Sequence, residues 1–278
     1  MNIKNSQSTT PPGIDITARR PTFDFSTVEK EWLADPIKSH FMNALSVLIP
    51  HSERIVMQIM RSELHGIKDP ILKQQVQALI KQEGAHAGMH RQSNDRLKQA
   101  FPAVAIFEKI QVTFMTLLMK CASRAFVIAL PAAFEHFTAA ISRHYLSHHQ
   151  QWTNGKNNQA IDFVNWHALE EIEHQAVCLD VYKTQYKSGW RMVWLLLIFW
   201  MPLTLISTYG IQLYFLHKDR VIYQPKNWLP YFRFLGSSAK VFNKGIFAYR
   251  KKQFRPWQAT DQKLYEDSLE KFIQTQSK

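Results

Sequence analysis

The chain has 278 residues, of which 46% are hydrophobic and 20% charged. That is enough for a full apolar core and too balanced for a collagen-like, disordered or disulfide-stapled protein. The net charge is +12, a basic balance that invites a nucleic-acid reading. From Lys218 onward, however, 13 basic residues stand against 5 acidic ones, so the last segment holds +8 of the +12. There the charges interleave with Trp228, Tyr231, Phe232, Phe234, Phe242, Phe247, Tyr249, Phe254 and Trp257. That pattern, following a long apolar run, fits a membrane surface and argues against nucleic acid. The two cysteines, Cys121 and Cys178, form no C-x-x-C, which excludes thiolate zinc and redox motifs. Both are expected as small core residues.

The opening MNIKNSQSTTPPG lacks the apolar stretch of a secretion signal. The sequence thus reads as cytoplasmic, or as lying on the cytoplasmic side of the inner membrane. Apolar residues recur at helical spacing with only 9 glycines, so the fold is expected to be all-α. Residues 1–30 read as a polar arm, 31–190 as a helical bundle, 191–217 as an apolar helix and 218–278 as a basic, aromatic helical tail. Asp35-Pro36 starts a short helix to about Leu48, and Pro50 opens a second over about 51–64 with His51 at its start. Asp69-Pro70 starts a helix to about residue 98. Further helices are expected at about 103–122 and 124–147, then a loop at 148–159 and a helix at about 160–186. Residues 192–216 carry no charge over 25 positions, long enough to cross a bilayer or to form a buried helix.

Two Glu-x-x-His motifs, Glu83/His86 and Glu171/His174, place each pair on one helix face. The apolar stripe Leu72, Val76, Leu79, Ile80 continues onto Glu83, His86 and His90. The stripe of Val164 and Ala168 continues onto Glu171, His174 and Cys178. Glu53 stands in line with Val56, Met57 and Met60, and Glu135 is the only carboxylate between Ala125 and Ile141. Carboxylates directed into a core are costly unless they hold cations. The order Glu, Glu-x-x-His, Glu, Glu-x-x-His is that of ferritin-like di-iron bundles. Four carboxylates balance two divalent ions, with iron preferred and manganese or zinc as alternatives. His167, four residues before Glu171, is expected as a further ligand or as a donor to one. Glu170 competes with Glu171 for the ligand role, and His90 is a candidate for the surroundings. His136, next to Glu135, points elsewhere.

These stretches resemble the bacterial predicted metal-dependent hydrolases. The similarity extends to Ala18-Arg19-Arg20, Phe23-Asp24-Phe25, Asn43-Ala44-Leu45-Ser46, Pro50 with Ser52-Glu53, and Asp69-Pro70. It continues through Gln82-Glu83 with His86 and His90, Phe134-Glu135-His136, and Trp166-His167 with Glu170, Glu171, Glu173 and His174. Phe254-Arg255-Pro256-Trp257 resembles the family's FHPW, with Arg255 in the histidine position, so that position is not an essential ligand here. The resemblance implies metal-hydroxide hydrolysis of an ester, amide or phosphoester. The ligand order implies O₂-dependent di-iron oxidation of an apolar or lipid-like substrate, and a ferritin-like iron-binding protein is the non-catalytic alternative. Membrane association is expected, and a homodimer stays open.

Overall fold

The computed structural model describes residues 6–186, 190–248 and 254–276. It is all-helical, with no strand among the described residues. Helix α1 spans Pro36–Glu63, α2 Pro70–Ala100, α3 Val104–Cys121, α4 Arg124–Ser147 and α5 His149–Thr153. They are followed by α6 Gln159–His174, α7 Val177–Gln185, α8 Trp190–Lys218, α9 Trp228–Ala248 and α10 Ala259–Gln276. The starts follow local chemistry. Asp35 accepts from the Ile37 amide, Asp69 from Ile71 and Leu72, and Asn158 from Ala160 and Ile161, each satisfying amides that the first turn leaves free.

Four walls form the bundle. Helix α1 packs on α2, α2 on α6 and α7, α4 on α6 and α7, and α1 on α4. Leu72, Val76, Leu79, Met60 and Ile128 are essentially unexposed inside it. Each contributes about 1.5–3 kcal/mol of burial, which offsets the cost of the carboxylates described below.

Four expectations need correction. Helix α1 runs unbroken through Pro50, and His51 lies in its interior. Pro50 has no amide to give the Ser46 carbonyl, and that carbonyl instead accepts from Asn94 Nδ2 at 2.8 Å. The expected helix over 160–186 is two, interrupted at Gln175–Ala176. Gln175 there takes a 2.6 Å hydrogen bond from Arg143. The expected loop at 148–159 contains α5 and then turns through left-handed Asn154 and Gly155. Cys178 is a core residue as expected, whereas Cys121 is exposed.

The described part of the N-terminal arm is tied down by packing and hydrogen bonds. Phe23 and Phe25 pack edge-on against Phe163, and Thr9 binds Asp180. Helix α8 lies lengthwise on α1 and α4. One face buries Leu197, Met201, Thr208, Gln212 and Phe215, with Gln212 Nε2 donating to the Ile37 carbonyl at 2.8 Å. The other face leaves Leu195, Phe199, Leu203, Ile206 and Leu213 exposed. Among the tail's described aromatics, Phe234, Phe242 and Trp257 are buried, while Trp228, Phe232 and Phe247 are exposed; Tyr249 lies outside the described residues.

Candidate metal centre

Each wall of the bundle delivers its donors from an otherwise apolar stripe. Helix α1 supplies Glu53, α2 Glu83 and His86, α4 Glu135, and α6 His167, Glu171 and His174. All are buried. Ligand atoms of Glu53, His86, His167 and Glu171 lie within 4.8 Å of one another, as do those of Glu83, Glu135, Glu171 and His174. Glu171 belongs to both groups. Glu83 Oε1 also stands 3.9 Å from His86 Nδ1, so it borders the first group as well.

Spacing within the groups suits coordination. His174 Nδ1 is 2.8 Å from Glu83 Oε1 and 3.2 Å from Glu135 Oε2. His167 Nε2 is 2.9 Å from Glu171 Oε1 and 3.4 Å from Glu53 Oε1, and His86 Nδ1 is 3.6 Å from Glu171 Oε1. Ligands about 2.1 Å from one ion and at right angles to each other stand about 3 Å apart. Both oxygens of Glu53, Glu83 and Glu135, Glu171 Oε2, and Nδ1 of His86 and His174 are buried without a hydrogen bond. Buried carboxylates in that state cost several kcal/mol each. Oxygen and imidazole donors together suit divalent iron, manganese or zinc. The residues therefore fit a metal centre.

A family model described as predicted metal-dependent hydrolase matches residues 17–260. The chain belongs to this family. No curated protein and no solved structure gives a match.

Behind the donors, a ring of outer partners orients all three imidazoles. His86 Nε2 donates to Glu170 Oε2 at 2.9 Å, which leaves the Nδ1 lone pair facing the centre. His174 Nε2 donates to Gln82 Oε1 at 2.9 Å, with the same result. The Gln82 amide is fixed in turn by donating Nε2 to Glu173 Oε2 at 2.7 Å. The His167 tautomer follows from the far end of its chain. Ser46 Oγ donates to Asn94 Oδ1, so it accepts from His90 Nδ1. His90 Nε2 then accepts from His167 Nδ1 at 2.9 Å, and the His167 Nε2 lone pair points into the first group. Such outer contacts set ligand tautomer and basicity. Arg19, on the arm, closes the ring with 3.2 Å and 2.7 Å ion pairs to Glu170 and Glu173.

The electrostatics show what the cluster does without cations. Burial pushes the Glu53 and Glu135 carboxyls up to about 7 and Glu83 well above the ordinary range. Burial alone would lower His167, but its hydrogen bond to Glu171 and the nearby Glu53 carboxylate lift it to about 10. Burial alone would raise Glu171, yet the same bond to His167 holds it at about 2. Protons stand in for the positive charge that four adjacent carboxylates require.

All seven sequence-derived candidates thus converge. Glu170 lies behind His86 rather than among the converging donors, and His90 lies behind His167. His136 faces away and packs on the Phe254 ring. The sequence analysis assigned no role to Gln82, Glu173 or Arg19. A glutamine beside Glu83 and an acidic residue beside His174 were the signals for the first two. From the first group a cavity of about 640 Å³ opens, floored by His167 and Glu171 and walled by Phe134, Phe137, Phe163 and Met115.

Proposed function

We propose that the chain is a dinuclear iron enzyme that oxidises an apolar substrate with O₂. One observation carries the proposal: three imidazole lone pairs and four carboxylates meet in two donor groups that share Glu171, and Glu171 and His167 reach the floor of a mostly apolar cavity. Iron bound there supplies O₂-dependent oxidation of a C–H or N–H bond. Hydroxylation would place one oxygen atom in the substrate and reduce the other to water, with two protons and two electrons from an external electron-transfer partner.

The chain's own residues perform the remaining tasks. Glu53, His86 and His167 would hold one ion, Glu135 and His174 the other, and Glu171 and Glu83 would lie between them. Glu170 and Gln82 hold the protons of His86 and His174 at Nε2, which keeps Nδ1 free for metal. Phe134, Phe137 and Phe163 exclude water from the open side of the first group and present an apolar wall to the substrate. Desolvation of this kind strengthens electrostatics at the site and protects a reactive oxidant.

Metal-hydroxide hydrolysis is the second reading, favoured by the family's description. The surface lining the cavity is mostly apolar, although Lys30, Arg96 and Gln111 also reach it, and an apolar wall around the donors favours oxidation. The two readings separate on metal and co-substrate. Protein loaded with Fe(II) should consume O₂ in the presence of long-chain alkyl substrates and a reductant, and Glu171→Ala should not. Ester or phosphoester turnover by zinc-loaded protein in the absence of O₂ would replace oxidation with hydrolysis.

A further inference from the structure

The cavity opens on an unusual surface. Helix α3 is 18 residues long and buries only Val104 and Met115. Ile106, Ile110, Phe114 and Leu117 are exposed on it, and Leu195, Phe199, Leu203 and Ile206 on α8. Ile110, Phe114 and Leu203 both line the cavity and are exposed, so its mouth lies between these two helices. Phe114 and Trp200 stack across the mouth with ring centres 6.0 Å apart. A continuous apolar face of this kind on a protein surface marks an interaction site.

We propose that this face docks on an anionic lipid bilayer, and that the cavity draws a single acyl or alkyl chain from the bilayer toward the metal centre. Three observations identify a bilayer as the occupant. Helix α8 is long and apolar enough to cross a membrane, yet only 28% of that apolar window is buried. Its inner face is fixed along its length to α1 and α4, so it lies against a membrane with the bundle rather than crossing alone. Basic residues are exposed on α3, at the end of α8 and on the segment that follows it. Lys109 and Lys120 are exposed on α3, Lys218 ends α8 and Arg220 follows it, and Lys226 and Arg233 flank the exposed Trp228 and Phe232. Aromatic side chains among cations are the composition of an interfacial anchor. A bilayer covers the face and at the same time supplies a ligand of the cavity's own polarity. At about 640 Å³ the cavity falls within the ordinary range for small-molecule sites.

Use of the cavity for substrate rests on the reading of the metal centre as the reaction site, whereas docking rests on the surface alone. The test therefore avoids turnover. Full-length, metal-loaded protein is floated with vesicles of phosphatidylcholine containing phosphatidylglycerol, and with phosphatidylcholine alone. Binding should require phosphatidylglycerol. It should weaken about ten-fold or more in the double variant Phe199→Glu/Ile206→Glu, with metal content and circular dichroism unchanged. Glu171→Ala should float like the parent, so a failure of the proposed chemistry would leave this result intact.

The cavity is probed with the fluorescent fatty acid cis-parinaric acid. Gly210 lines the cavity and is exposed, and a side chain added there meets nothing within 4 Å. Gly210→Phe should keep flotation and weaken parinaric acid binding by about ten-fold. Flotation that ignores both phosphatidylglycerol and the double variant would overturn docking. A lipid-free dimer that Phe199→Glu/Ile206→Glu splits into monomers would assign the face to a second copy of the chain. Unchanged parinaric acid binding in Gly210→Phe would overturn lipid use of the cavity.

Discussion

Glu135→Gln should stabilise the metal-free protein and destabilise the metal-loaded one. Glu135 is the only carboxylate on a stretch of α4 whose neighbours are buried and apolar, and it is itself 1% exposed. Burial, reinforced by the Glu171 charge, pushes its carboxyl to about 7 from the ordinary 4.5. A folded state that holds its proton more tightly than the unfolded chain carries no penalty below about pH 4.5. The penalty grows through pH 7 and is complete above it. At about 1.4 kcal/mol per pH unit, the full penalty is about 3 kcal/mol. The amide removes it at about pH 8, at the cost of one contact to His174, whose Nδ1 keeps Glu83 at 2.8 Å. A net gain of about 1–3 kcal/mol corresponds to about 3–9 °C in midpoint for a chain of this size. Loaded protein should move the other way. A hundred-fold loss of metal affinity removes about 2.7 kcal/mol of linked stability. Thermal unfolding of chelator-treated and iron-loaded samples, parent against variant, reads both signs. If the variant lowered both midpoints equally, Glu135 would be a structural partner of His174 and no charge held for a cation.

Other perturbations separate the parts of the centre. Glu171→Ala should empty both donor groups and Glu53→Ala only one, as counted by elemental analysis of purified variants. Metal affinity should rise between about pH 5 and pH 8, because Glu53 and Glu135, both near 7, must release protons to ligate; competition titration with a chelator follows it. Arg19→Ala leaves Glu170 and Glu173 buried without their cation, and urea denaturation should show a loss of about 3 kcal/mol. Asn94→Ala strips the partner from the Ser46 carbonyl that Pro50 leaves free, which should cost about 1–3 kcal/mol. It also loosens the His90–His167 chain, so metal affinity should fall by roughly ten-fold.

The centre was more legible in the sequence than the fold around it, for a physical reason. A carboxylate on an apolar helical stripe is costly enough that Glu53, Glu83, Glu135 and Glu171 mark a candidate cation site from local pattern alone. The imidazoles at i+3 complete the signal. Helix limits at Asp69-Pro70 and near Arg124 were legible because capping is local. Pro50 misled because the carbonyl it leaves unpaired is rescued by Asn94, 48 residues on by way of Ser46. The break at Gln175–Ala176 carries no glycine or proline, and only the packing around it, including Arg143, reveals it. Arg19 reaches Glu170 and Glu173 across more than 150 residues, a pairing that no local periodicity encodes. Exposure of α8 on one face only was equally hidden, because its sequence is apolar all round.

The central claim is that the two donor groups hold two ions. It is tested most directly by elemental analysis of protein purified without oxygen and reconstituted with Fe(II), with protein concentration fixed by amino-acid analysis. The account predicts two irons per chain, one for each donor group. A chain that retains no stoichiometric metal, or that saturates at a single ion, would contradict it.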